Sequence, residues 1–343
     1  MPKFVRIPII TSARRVGLHL NERTAGRIEA EALCPFCGDS KYRFFLNTRK
    51  DTFFCQRCKT SGNSITLYSR MMGVDNRAAY QELSKEGPYM FPPPPPQVIE
   101  REPAPLYTRH DVYYDLLRML ELSDAHRKNL QSRGLSDERI NQNMYRSVPM
   151  GYAYIKDVLE NLTSLYDLTG VPGFYTKNGS WRMYGKQGFF VPVCTPEGYI
   201  QGMQVRLDNA DNRKYRWFSS RYEENGTRAY PWIHVTGNRS SSTAVITEGA
   251  LKADVASSLS KNALFVSVPG INCLSKLPDV LKGLGISTVI EAFDMDKLTN
   301  PRVAEAVREV RAIVSKLGLT YQPYNWNSSH KGIDDYLLSR IAA

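Results

Sequence analysis

The chain of 343 residues is 42% apolar, enough for two or three compact domains with real cores, and it is not a disordered protein. Forty-five basic against 34 acidic residues leave a formal charge of +11, which favours a polyanionic partner, nucleic acid first, and says nothing about fold. No apolar run reaches the roughly 18 residues of a membrane span, and charge interrupts the short apolar stretch of the N-terminus, MPKFVRIPIITSARRVGLHL, so no secretory signal is supported and a cytoplasmic protein is expected.

The first predicted element is a ribbon. Cys34-Pro-Phe-Cys37 and Cys55-Gln-Arg-Cys58 stand 17 residues apart, inside the spacing of a four-thiolate zinc site. Each Cys-x-x-Cys turn can aim two sulfurs at one tetrahedral ion, and the intervening YRFFLNTRKDTFF alternates as a hairpin through Thr48 to Asp51. The rival reading, two redox dithiols or disulfides, suits a cytosolic chain less well. Lys41, Arg43, Arg49, Lys50, Arg57 and Lys59 are interleaved with Tyr42, Phe44, Phe45, Phe53 and Phe54, a mixture that grips phosphates while stacking unpaired bases. Some of these aromatics must pack the ribbon, which leaves one or two for a base. A helix then starts at Gly62-Asn63-Ser64, with Asn63 or Ser64 as its cap. From CPFCGD to FFCQRCKTSGNSITL the segment resembles the N-terminal zinc-binding domain of DnaG-type primases, with Cys37 where that family usually has histidine. The resemblance implies a module that engages template DNA.

Residues 88–105, PYMFPPPPPQVIEREPAP, read as a semi-rigid polyproline spacer; a ligand for an aromatic groove is the alternative. Residues 109–145 read as helices, with a glycine stop and a Ser136 start in RGLSDERI. From Gly188, FFVPVCTPEGYIQGMQVRL reads as two strands joined at a Pro-Glu-Gly turn, followed by the basic, aromatic RKYRWFSSRY. Both pieces resemble the N-terminal half of the DnaG-type RNA polymerase core. By that resemblance Arg206, Lys214 and Tyr215 would hold template or nucleotide phosphate, with Lys186, Arg213 and Arg216 as neighbours; a solvated basic hairpin is the bland alternative.

The last third alternates apolar runs with helix patterns. Ala244–Ile246, Leu264–Val268 and Val289–Phe293 suit parallel strands covered on both faces, and 250–259, 274–284 and 301–317 suit the helices between and after them. Glu248 closes the first strand, and Asp294 and Asp296 follow the third. Ligands of such sheets bind beyond the carboxyl ends of the strands, and acids gathered there repel one another unless protons or a cation neutralise them; hard oxygen ligands select Mg²⁺ or Mn²⁺. Taken alone, Asp-x-Asp after a strand reads better as a solvated turn or helix cap; Glu248-Gly249 and the Asp334-Asp335 pair in the same α/β unit shift the balance. Residues 240–340 resemble a Toprim domain, the metal-dependent core shared by DnaG-type primases, topoisomerases, RecR-like repair proteins and some nucleases. The resemblance makes Glu248 the acid/base or metal-binding glutamate, and Asp294 and Asp296 the metal ligands. Asp334 and Asp335 take the place of the later acidic motif, as Gly-Ile-Asp-Asp rather than the usual Asp-x-Asp.

The expected fold class is multi-domain α/β. A β-rich zinc ribbon (1–87), the linker (88–105), an α+β basic subdomain (106–239) and a Toprim-type doubly wound parallel sheet (240–343) follow in the order of a DnaG-type primase. That order implies a DNA-directed RNA primase holding structural zinc on Cys34, Cys37, Cys55 and Cys58, and catalytic Mg²⁺ or Mn²⁺ on Asp294, Asp296 and Asp334. Its partners would be a single-stranded DNA template, nucleoside triphosphates and a separate replicative helicase; the length fits a compact primase of a phage or mobile element. The alternatives are a Toprim nuclease, a RecR-like repair protein and a non-catalytic single-strand-binding module. Almost 190 residues between Cys58 and Glu248 count against RecR-like proteins, whose zinc site abuts Toprim.

Overall fold

The computed structural model describes residues 6–85, 102–209, 214–260, 262–271 and 273–342. It divides into two compact units, Met1–Gln97 and Val98–Ala343. The five consecutive prolines of the expected spacer lie outside the described residues.

In the first unit, α1 (Ile9–Arg15) precedes an antiparallel sheet of β1 (Glu29–Cys34), β2 (Asp39–Asn47), β3 (Thr52–Cys55) and β4 (Ser61–Asn63), and α2 (Ser64–Met72) and α3 (Asn76–Ser84) follow. Period-two alternation decides the packing: Phe44, Leu46 and Phe53 point inward and are buried, whereas Phe45 and Phe54 face each other on the outer side. The Asn63 side chain accepts from the Thr66 amide and caps α2. Gly62 just before it permits the close approach, because a Cβ there would sit 2.8 Å from the Phe53 ring.

The second unit opens with α4 (Leu106–Met119), whose Val112, Leu116 and Leu117 enter the core. Next come α5 (Asp124–Gln131) and α6 (Asp137–Gln142), capped by Ser123 and Ser136. β5 (Arg146–Ser147), α7 (Tyr152–Leu165) and the hairpin of β6 (Phe174–Lys177) and β7 (Ser180–Met183) lead to β8 (Gly188–Cys194), β9 (Ile200–Leu207) and β10 (Tyr215–Trp217). These last three form an antiparallel sheet with β5, in the order β10-β9-β8-β5.

The remaining sheet runs β11-β13-β12-β14-β15. β11 (His234–Gly237) is its antiparallel edge; β12 (Thr243–Glu248), β13 (Leu264–Val268), β14 (Thr288–Glu291) and β15 (Thr320–Pro323) are parallel. The chain crosses through α8 (Ala250–Leu259), α9 (Leu277–Gly283) and α10 (Pro301–Lys316) and ends in α11 (Ile333–Ala342). Val266, Ile246 and Val289 pack against α9 and α10, while Val245 and Phe265 meet Ala253 and Ala256 of α8 on the other face. Both faces of the central strands are therefore covered, as their unbroken apolar runs require. α8 also packs Ala250, Leu251 and Val255 against Phe189, Val191 and Val193 of β8, which joins the two sheets through one core.

A buried polar network crosses the same seam. Tyr145 donates to Asp254 at 2.6 Å, and His234 Nε2 lies 3.0 Å from the other Asp254 oxygen. Burial disfavours an imidazolium at His234 and the Asp254 carboxylate favours it. The Cys194 amide decides the outcome: it donates into Nδ1 at 2.9 Å, leaving no site there for a second proton, so the ring is neutral and donates from Nε2.

Candidate functional site

The four ribbon cysteines converge. Their sulfurs all lie within 4.8 Å of one another, and they are free thiols rather than disulfides. Cys34 and Cys58 are 3.8 Å apart and Cys37 and Cys55 are 3.9 Å apart, close to the edge of about 3.8 Å that Zn–S bonds of about 2.3 Å impose on a tetrahedron. Burial pushes the Cys34 thiol up to about 12, whereas the Thr60 hydroxyl and amide bring Cys58 down to about 6. A cation in their midst is what makes all four thiolates at once.

Around this centre the basic residues divide in two. Arg43 donates to both oxygens of buried Asp39 at 2.6 Å, and Arg57 comes within 3.8 Å of it. They pin the first Cys-x-x-Cys turn instead of projecting as sequence alone suggested. Lys41, Arg49, Lys50 and Lys59 are exposed. Phe54 is 42% exposed with the Lys59 ammonium 5.8 Å from its ring centre. Phe45, Lys50, Phe54 and Gln56 line a surface cavity of about 310 Å³.

The second site lies at the carboxyl edge of the parallel sheet. β12 pairs with β13 on one side and with β14 on the other, so the crossover direction reverses at β12, the position where open α/β sheets bind ligands. Ile246 pairs with Glu291, which brings Glu248 level with the loop that carries Asp294 and Asp296. Two features that sequence reading missed hold this loop. Glu291, 1% exposed, bonds the Lys297 ammonium at 3.1 and 3.2 Å. The Met295 amide donates to the Lys331 carbonyl at 2.9 Å, which stitches the loop to the start of α11. There Asp334 is buried and Asp335 exposed, so only Asp334 faces the cluster.

The electrostatics describe a site short of positive charge at some atoms and supplied with it at others. Burial, then the charges of Asp294 and Asp296, pushes Glu248 up to about 7. Burial also raises Asp334. Glu248 Oε1, Asp296 Oδ1 and Asp334 Oδ1 are all buried without a hydrogen-bond partner, the pattern a hard cation would satisfy. Asp294, by contrast, is held by the Lys252 ammonium, and Lys331 comes within 3.8 Å of it and 3.5 Å of Asp296. Among the described residues only the cysteines close to within 4.8 Å as a ligand set, so the acids are neighbours around a gap occupied in part by lysine.

The predicted basic positions meet on β9 and β10. Arg206 and Tyr215 are cross-strand partners. The Arg206 guanidinium lies 5.5 Å from the Phe189 ring centre and donates to Asn129 at 3.2 Å, while its buried Nε has no partner. Burial pushes the Tyr215 hydroxyl up, the Arg206 and Arg133 charges pull it down, and the Asp334 charge reaches it as well. Lys214 and Arg216 are exposed, and Arg213 lies outside the described residues.

Residues 15–91 match the CHC2 zinc finger family, and residues 232–342 match a domain of unknown function, DUF3854. A DNA primase of Myxococcus xanthus is 25% identical over 202 residues, covering 57% of this chain and 33% of the relative. The Escherichia coli K12 DNA primase is 24% identical over 197 residues, 54% of this chain and 33% of the relative. The chain thus spans about a third of the curated relatives it matches. The zinc-binding and RNA polymerase domains of the Aquifex aeolicus primase superpose with a TM-score of 0.55 at 15% identity, over 98% of this chain and 80% of that one. The RNA polymerase domain of Mycobacterium tuberculosis primase DnaG gives 0.52 at 13% identity, over 70% and 81%. The fold is that of a DnaG-type primase. Ribbon and α/β core stand in the primase order, and the four cysteines supply the ribbon's structural zinc site. No helix among the described residues is long and apolar enough to cross a membrane.

Proposed function

We propose that the chain is a DNA-directed RNA primase that makes short RNA on single-stranded DNA from nucleoside triphosphates. The observation that carries this reading is the set of three orphaned carboxylate oxygens at the switch point of a primase-like core, electrostatically within reach of the Arg206–Tyr215 strand pair.

Asp294, Asp296 and Asp334, in a Toprim-type arrangement, would hold Mg²⁺ or Mn²⁺, which when bound offsets the negative charge growing on the transferred phosphoryl group. Arg206, Lys214 and Tyr215 anchor template or nucleotide phosphate beside those acids. On the ribbon, Phe45 and Phe54 offer ring faces to unpaired bases while Lys50 and Lys59 meet the backbone. Glu248, at the end of β12 beside these acids, is the side chain placed to accept the proton of the primer 3′-hydroxyl. That oxygen attacks the α-phosphorus of the incoming nucleotide, the bond to the β-phosphate breaks, and pyrophosphate leaves. No protein nucleophile takes part. A separate helicase would expose the template.

Purified protein incubated with single-stranded template, labelled ribonucleotides and Mg²⁺, beside an Asp294→Ala/Asp296→Ala variant, tests the proposal. Short labelled RNA made by the parent alone is the expected result. Degraded template would make the chain a nuclease, and binding with neither product would make it a single-strand-binding module.

A further inference from the structure

One side chain at the acid cluster has no place in the mechanism above. Lys252 leaves the first turn of α8, four residues after Glu248, and its side chain is only 19% exposed. Its ammonium is bonded to Asp294 Oδ1, and its charge also acts on Asp334 and Glu248. The chamber is built to admit it. At Gly332 a Cβ would fall 2.3 Å from Asp334 Oδ1, 3.0 Å from Lys252 Cε and 3.3 Å from Lys252 Nζ, so the two side chains pass over bare backbone. With Lys331 on the other Asp294 oxygen at 3.8 Å, both oxygens of this carboxylate face lysine.

A divalent ion that takes Asp294 through Oδ1, or through both oxygens, displaces the ammonium bonded there, because two cations would share one oxygen in a buried site. The displaced ammonium sits on a flexible four-carbon stem. The carboxylates within its reach are those the metal would be neutralising, so the anion left for it is one that arrives with the substrate. We infer that Lys252 is a resident counter-ion that competes with the metal for Asp294 and is handed to the nucleotide's phosphates when the metal enters. The inference rests on the metal-site reading above and adds to it that metal and nucleotide exchange one lysine.

The test reads two affinities that the proposal drives in opposite directions, on the full chain with its zinc retained. Mn²⁺ binding is followed by loss of the free-ion paramagnetic resonance signal; nucleotide binding is followed by anisotropy of a fluorescent ATP at saturating Mn²⁺. Lys252→Met is expected to bind Mn²⁺ about tenfold more tightly and the nucleotide about tenfold more weakly, a coupling of ordinary size. Lys252→Arg should stay near the parent in both. Lys252→Gln repeats the comparison should the methionine variant melt early. Unchanged or weaker Mn²⁺ binding in the methionine and glutamine variants, or an unchanged nucleotide affinity, overturns the inference. If the parent and Asp294→Asn/Asp296→Asn bind Mn²⁺ equally, the metal-site reading itself fails, and Lys252 with it.

Discussion

The thiolate cluster and the acid cluster of this chain are assembled in opposite ways. In the ribbon, all four ligands come from two Cys-x-x-Cys turns, and the sulfurs already stand at tetrahedral spacing. At the acid cluster, Glu248, the Asp294–Asp296 loop and Asp334 come from three separate element ends, and lysines enter with them. A centre encoded in consecutive residues is closed and self-sufficient. One encoded across a sheet edge depends on every segment that positions its loops, and its charge balance can be shared among movable groups.

The largest test breaks the closed centre. Cys55→Ser should release zinc and unfold the first unit, since structural zinc sites contribute about 10–16 kcal/mol to folding. Metal analysis with circular dichroism checks the loss, and a surviving thermal transition from the second unit is expected beside it. The next test strikes a support of the open centre. Lys297→Met leaves Glu291 charged and buried at 1% exposure and should cost the second unit about 3–5 kcal/mol, seen as an earlier denaturant midpoint. Replacing both partners with apolar residues should cost less.

Smaller effects separate the outer face of the ribbon from its interior. Phe54→Ala should weaken single-stranded DNA binding by about 1–3 kcal/mol with zinc content unchanged, whereas Phe44→Ala should destabilise the ribbon itself. Titration sharpens the contrast most finely. Arg43 holds the Asp39 carboxyl below its usual 3.8, so its contribution to stability is present above that value and is lost as pH falls through the lower folded value. Glu248 is raised from 4.5 to about 7, so the folded state binds the extra proton. The metal-free second unit should therefore lose stability as pH rises from about 4.5 to 7, by no more than about 1.4 kcal/mol per pH unit. Melting curves across that range, with Glu248→Gln flattening the slope, check the sign.

Legibility followed the same division. The cysteine spacing, the hairpin turn and the Asn63 cap were readable because each is a local signal. The unbroken apolar runs likewise disclosed β12, β13 and β14 and placed Glu248 and Asp294 at strand ends. Other elements carry little signal: α7 starts after Gly151 with no side-chain cap, β5 has two residues, and β11 and β15 are four-residue edge strands. Within the site, Lys252, Glu291, Lys297, Lys331 and Gly332 went unread. An isolated lysine or glutamate in a sequence looks like a solvated charge until the fold shows what it faces.

Crystals grown with Mn²⁺ and a non-hydrolysable nucleotide, measured for manganese anomalous scattering, decide whether the acid cluster binds metal and releases Lys252. The expected result is a peak ligated by Asp294 among Glu248, Asp296 and Asp334, with the Lys252 ammonium withdrawn to a phosphate. A map with no peak at these carboxylates and Lys252 still bonded to Asp294 would contradict it.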